Sequence, residues 1–217
     1  MSEGGVIVRA VSPSVKVEDD LDGEAMIRRL EAAGRTCYRS EDRIDADSAA
    51  MFIKRILDSG HESVIEHEKI TVRIVCDRGV SHEIVRHRIG SYSQESTRYC
   101  NYSAQKFGEE ISCITPSFWE DSPEMLDRWR AAMENAERSY FDLLSAGAKP
   151  EQARSVLPNS LKTEIVVTYN LREWRHFLKL RTSKRAHPQI RELADEILRQ
   201  FRLNVPVVFD DIATNDV

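Results

Sequence analysis

Arg86-His87-Arg88-Ile89-Gly90-Ser91-Tyr92-Ser93-Gln94-Glu95-Ser96-Thr97-Arg98 gathers three guanidiniums and an imidazole into one short stretch of a 217-residue chain. Guanidiniums held this close repel one another unless an anion neutralises them, and their forked donors match phosphate and carboxylate oxygens in pairs. Ser91, Ser93, Gln94, Ser96 and Thr97 between them are short polar groups suited to fixing a small polar ligand. The stretch reads as a ligand site, with phosphate the natural anion.

Working outward, Ile70 to Cys76 is β-branched and alternating and predicts a strand. Val80 to Arg88 predicts a short helix, with Ile84 and Val85 as its apolar pair and with Glu83, Arg86 and His87 on it. Gly90 to Phe118 is polar and has no helical period, which predicts a long functional loop with short strands. Further upstream, Val6 to Val11 predicts a first strand, and Glu24 to Ala33 a helix stopped by Gly34. A second helix, capped by Asp47 or Ser48, has Met51, Phe52, Ile53, Ile56 and Leu57 as its buried stripe and ends at Gly60.

Downstream, Pro123 opens the longest helix, to about Ala146, with Met125, Leu126, Trp129, Met133, Ala136 and Tyr140 on one face and Gly147 at its end. Pro150 to Leu157 predicts a short helix, and Thr163 to Tyr169 a strand. Asn170 then caps a helix to about Leu180, and a last helix runs from Pro188 to about Arg202. Strands separated by helices of unequal length predict an α+β fold, with a central mixed or antiparallel sheet flanked by helices and residues 1–217 as a single domain.

Composition bounds the rest. Hydrophobic content of 41% and charged content of 31% suit a well-folded globular chain. No apolar run approaches a membrane span, and the N-terminus lacks a basic start followed by an apolar block, so neither membrane nor secretion is expected. Four scattered cysteines without a C-x-x-C pair suggest free thiols and a cytoplasmic protein. From Arg172 to Arg191 seven basic residues face one acid, Glu173, although the whole chain carries a net charge of -5. A local basic cluster on an acidic chain favours a small anionic ligand over a long nucleic acid; its bland alternative is a solvated helix face.

Other chemistries fit less well. His61-Glu62-Ser63-Val64-Ile65-Glu66-His67 has its histidines six apart, and His82 and His87 are five apart. A zinc helix needs them four apart, so no metal is expected. The first of these segments reads instead as a tight turn after Gly60 that offers amide N–H groups to an anion, or as a cap packed on the sheet. Ser96 has no G-x-S-x-G turn, and no acid is evidently placed to orient His87, so hydrogen bonding to a ligand is the expected role of Ser96. Cys100 reads as packing. None of the nine glycines forms a phosphate loop, so any dinucleotide is held by side chains. Arg172, His176 and Leu180 share one helix face, and Arg181 ends that helix, where the helix dipole alone would favour a cation.

Arg86-His87-Arg88 followed by seven residues and Ser96 resembles the signature of the flavin-dependent thymidylate synthases (thymidylate synthase complementing protein family). Gly60-His61-Glu62-Ser63 with Glu66-His67, Arg154-x-Val156-Leu157-Pro158, Asn170-x-Arg172 and Leu180-Arg181 resemble its other segments in the same order, over roughly residues 50 to 200. The resemblance implies methylation of dUMP to dTMP with methylenetetrahydrofolate as carbon donor, FAD reduced by NADPH as hydride source, and a homotetramer with shared active sites. It implies that Ser63, Arg86, His87, Arg88, Gln94, Asn170, Leu171, Arg172 and His176 line the FAD. It places Glu83, Arg86, Gln94, Glu95, Ser96, Thr97, Arg98, Arg154 and Arg181 around dUMP, with Arg181 and Ser96 as the catalytic candidates. Glu83 stands where many members have glutamine, and His176 where asparagine is frequent; Ser93 and Gln94 also replace commoner residues. Two rivals remain: a non-catalytic nucleotide- or RNA-binding protein stacking bases on Tyr92, Tyr99 and Tyr102, and another flavoenzyme acting on a phosphorylated substrate.

Overall fold

The computed structural model describes residues 8–104, 108, 110–205 and 207–213. In chain order the elements are β1 Arg9–Val11, β2 Ser14–Val17, α1 Gly23–Thr36, α2 Ser48–Asp58, β3 Lys69–Asp77, α3 Arg78–Ile84 and β4 Ser91–Gln94. They continue with β5 Ser112–Ile114, α4 Pro123–Ser145, α5 Pro150–Ala153, β6 Lys162–Asn170, α6 Leu171–Arg181 and α7 Pro188–Asn204. One sheet has the order β2-β3-β6-β4; β1 and β5 form a separate parallel pair, Arg9 opposite Ser112. The α+β class is as expected. Val6 and Ile7, the start of the expected first strand, lie outside the described residues.

By its contacts the chain divides into two compact units. The first comprises residues 1–14, 74–86 and 93–165; the second comprises 15–73, 87–92 and 166–217. In the first unit α4 presents Trp129, Met133 and Tyr140 to a core with Tyr102, Ile111, Cys113 and Leu161. Met125, expected on that face, is exposed, because it sits in the first turn, before the helix meets the core. Cys100 packs against the same core, partly buried. Gly147, at φ 94°, ends the helix as expected.

The second unit packs α1, α2, α6 and α7. Trp174 lies edge-on to Phe177 and Phe201, and its indole N–H donates to the Ile70 carbonyl at 2.9 Å. The sequence pattern of α2 overreaches at Met51, which is exposed while Ile53 and Ile56 are buried. Gly34 does not stop α1, which continues to Thr36. A Cβ there would stand 2.7 Å from the Phe52 ring, so the glycine serves a close approach of helices. Among the described residues no helix is long and apolar enough to cross a membrane.

Candidate functional site

The short helix α3 is capped by Asp77, whose carboxylate accepts from the Val80 N–H at 2.6 Å. It ends at Ile84, with Val85 as C-cap and exposed. Arg86 and His87, expected on this helix, therefore lie beyond its end, because Val85 is left exposed and does not anchor another turn. Glu83 remains on α3, half-buried, and Arg86 and Arg88 are exposed.

In the first unit β4 and the turn after it carry the residues expected around a nucleotide. The Gln94 amide donates to Ser81 Oγ at 2.9 Å and to Thr163 Oγ1 at 3.2 Å. Glu95 accepts from Lys162 at 2.8 Å and from the Tyr102 hydroxyl at 3.2 Å. Ser96 opens a turn: its carbonyl accepts from the N–H groups of Tyr99 and Cys100, and its hydroxyl oxygen from the Arg98 N–H at 3.3 Å. Thr97 is buried and accepts from Arg154 Nη1 at 3.3 Å, which brings Arg154 to the residue beside Arg98. Arg98 itself is exposed, its guanidinium 5.4 Å from the Tyr99 ring centre. Arg154 is thus bonded to the turn that carries Ser96 and Arg98, and cations with neighbouring hydroxyls are a donor set suited to a phosphate monoester.

The second unit holds the other set. Asn170 caps α6, accepting from the Glu173 N–H at 2.8 Å as expected. Leu171 is fully buried and its N–H donates to the Glu68 carbonyl at 2.9 Å. Arg172, His176 and Leu180 share the exposed face. Arg172 pairs with Glu66 at 2.5 Å; Lys179 lies 3.7 Å from Glu62. Arg175 is buried and holds Asp211 through two bonds of 2.6 and 2.7 Å, keeping that carboxyl below the usual range. Much of the basic run is therefore neutralised locally.

Two clefts open in this unit. One of about 470 Å³ is lined by Glu62, Glu66, Ile89, Asn170, Arg172, Arg175, His176 and Lys179. The other, about 580 Å³, is lined by Ser63 with Arg43, Arg55, His61, Tyr38 and Phe52. Arg43 and Arg55 were missed from the sequence, where nothing but their type marks them; His61 stood in the motif after Gly60. Together they offer cationic donors beside two aromatic rings. Glu62 and Ser63 lie on one 3-10 turn, Glu62–His67, so the clefts have a common wall.

His87 is buried in the same unit. Its Nδ1 lies 2.9 Å from Glu173 Oε1, and Arg181 Nε donates to its Nε2 at 3.3 Å. Accepting at Nε2 makes the ring the Nδ1–H tautomer, with that proton donated to Glu173. Burial is the main cause that pulls the pKa of His87 below its usual value; the nearby Arg181 acts the same way, against Glu173. Glu173 is the acid that the sequence left unplaced. Its signal was present, as the one acid among seven basic residues and three positions after the cap. His87, Glu173 and His176 have donor atoms within 4.8 Å of one another, as a metal ion would need. Both nitrogens of His87 are already engaged, so it links Glu173 and Arg181 in a hydrogen-bonded relay, with His176 as a ring neighbour at 5.3 Å.

Of the tyrosines offered for base stacking, Tyr102 is buried in the first unit and Tyr92 is bonded to Tyr169 at 2.8 Å; Tyr99 alone stays exposed.

A family model described as thymidylate synthase complementing protein matches residues 23–207. A flavin-dependent thymidylate synthase of Mycolicibacterium vanbaalenii is 38% identical, over 92% of this chain and 84% of its own length. One from Thermococcus onnurineus is 35% identical, over 92% and 80%. Among solved structures, a UMP/dUMP methylase, PolB from Streptomyces cacaoi bound with 5-Br dUMP, superposes with a TM-score of 0.78 at 25% identity, covering 94% of this chain and 96% of that one.

Proposed function

The chain belongs to the thymidylate synthase complementing protein family, and from that premise we propose that it methylates dUMP to dTMP, using methylenetetrahydrofolate as carbon donor and FAD reduced by NADPH. The observation that carries this reading is the bond from Arg154 to Thr97, which ties a second arginine to the turn of Ser96, Thr97 and Arg98 in the first unit. It supports a nucleotide phosphate held by Arg98 and Arg154, with Ser96 and Thr97 completing the grip. Gln94 and Glu95, tied to β6, keep that turn in place. Arg181, presented by His87, stabilises negative charge as the pyrimidine N3 ionises, which activates C5 towards the methylene carbon.

The residues of the second unit fit a flavin dinucleotide. Arg172 and Lys179 in one cleft and Arg43, Arg55 and His61 in the other supply cations for a pyrophosphate, and Ile89, Tyr38 and Phe52 supply flat or apolar surface. The Arg172–Glu66 pair is exposed and so costs little to open. Bound flavin supplies the hydride; Ser63, Arg86, His87, Arg88, Asn170, Arg172 and His176 orient it and set its field. Residues 1–217 act as one domain in a homotetramer with shared sites, a reading supported by a family match that runs through both units without a break. The free state of all four cysteines suits a reducing cytoplasm.

Tritium release from C5-labelled dUMP, with methylenetetrahydrofolate and NADPH, tests the proposal, with UMP run in parallel. Release from dUMP well above that from UMP is the expected result. No release from dUMP by the flavin-loaded protein sinks the proposal.

A further inference from the structure

Glu173, Phe177 and Arg181 fall four residues apart on α6 and are all buried, so they form one inward stripe across two helical turns. The His87 ring lies across that stripe. Its Nδ1 reaches Glu173 at 2.9 Å, its Nε2 accepts from Arg181 Nε at 3.3 Å, and Phe177 packs edge-on between them at 5.0 Å. The Tyr92 hydroxyl donates to the His87 carbonyl and pairs with Tyr169, while the ring of His176 stands 5.3 Å away. These are the titratable and charged groups that face the imidazole from α6, β4 and β6.

We propose that Glu173 is a positioning residue for this reaction: it holds His87 as the Nδ1–H tautomer, so that Nε2 keeps its lone pair towards Arg181 and aims that guanidinium at the pyrimidine. The proposal rests on the function given above. A neutral imidazole can accept at only one nitrogen, so the proton must be held on the other. Without Glu173 the ring takes up its proton at Nε2, and an N–H then confronts the guanidinium it should orient. Nothing in the motif that contains His87 reveals this, because Glu173 stands 86 residues further along the chain.

The test combines ¹⁵N NMR of the flavin-loaded enzyme, labelled at its six histidines, with kinetics. His87 is assigned by the signal lost in His87→Asn. In the wild type at pH 8 we expect a protonated Nδ1 and an unprotonated Nε2. Glu173→Gln, whose amide oxygen can still accept from Nδ1–H, keeps that pattern. Glu173→Ala shifts His87 towards the Nε2–H form and lowers kcat by about tenfold or more, with KM for dUMP and flavin content little changed. Glu173→Gln stays within about threefold of wild type. A wild-type His87 protonated at Nε2 overturns the proposal, and the NMR reading of the wild type needs no variant to fold. Equal kinetic losses in the alanine and glutamine variants, with the His87 tautomer unchanged in both, also overturn it. A wild type with the expected tautomer but no tritium release refutes the reaction and leaves the relay standing, so the two failures are distinguishable.

Discussion

At Arg154 the 3.3 Å bond to Thr97 holds a guanidinium that otherwise faces solvent, and a phosphate there gains a charge-assisted partner. Such bonds contribute about 1.5–3 kcal/mol, so Arg154→Ala is expected to weaken dUMP binding roughly tenfold to a hundredfold in calorimetry. Flavin content should not change, since Arg154 lies among the nucleotide residues of the first unit. Glu137 is another buried group with a direction. One carboxylate oxygen accepts from the Ile111 N–H at 2.8 Å, the other has no partner among the described residues, and burial pushes its pKa above 4.5. A raised folded-state value means that stability is complete below 4.5 and is lost as pH rises through the folded value. Glu137→Gln should therefore raise the thermal midpoint, and the gain should widen from pH 5 to pH 8 in parallel melts. His87 runs the other way: its lowered value keeps stability intact above 6.5 and removes it as pH falls through the folded value.

Helices were the most legible elements, because each carries its own punctuation. Asn170 before α6, Pro123 at the start of α4 and Gly147 after it all act as their residue types dictate. Short strands were not. β2 was not anticipated, since Ser-Val-Lys-Val is four residues long and no position of it is fully buried; only its pairing with β3 makes it a strand. Gly34 misled for a related reason, as its role depends on Phe52 in another helix. Gly90 is the same kind of residue at the site. It precedes β4, and a Cβ on it would stand 2.2 Å from the Tyr169 ring. Tyr169 is itself packed against Trp174, with ring centres 4.6 Å apart, so it cannot retreat cheaply. Gly90→Ala should cost about 2 kcal/mol or more. A melt within 1 °C of wild type, with full flavin absorbance, would show that the close approach carries no weight.

Across the whole molecule, the two residue sets implied by the signature divide between the two units. All the nucleotide residues except Arg181 are in the first, and all the flavin residues except Arg86 and Gln94 are in the second. The sets could be drawn up from the sequence because they ride on ordered motifs, but the side chains bonded to their members could not. Lys162 and Arg43 have no spacing relation to the motifs they adjoin, and Glu173, though next to Arg172, stands 86 residues from the histidine it bonds. That division makes the cofactor testable by stability alone. A ligand that binds the folded chain at a hundred times its dissociation constant adds about 2.7 kcal/mol, and a chain of this length shifts by roughly 2–4 °C per kcal/mol. Saturating FAD should then raise the thermal midpoint of flavin-stripped protein by roughly 5–10 °C. FMN lacks the adenosine end and should give less, because it can fill less of the two clefts. Arg172→Ala should reduce the FAD shift while leaving the dUMP shift in place, since its ion-pair partners among the described residues are Glu62 and Glu66 of the same unit. No FAD shift at millimolar concentration would remove the flavin from this chain, whatever nucleotide it binds.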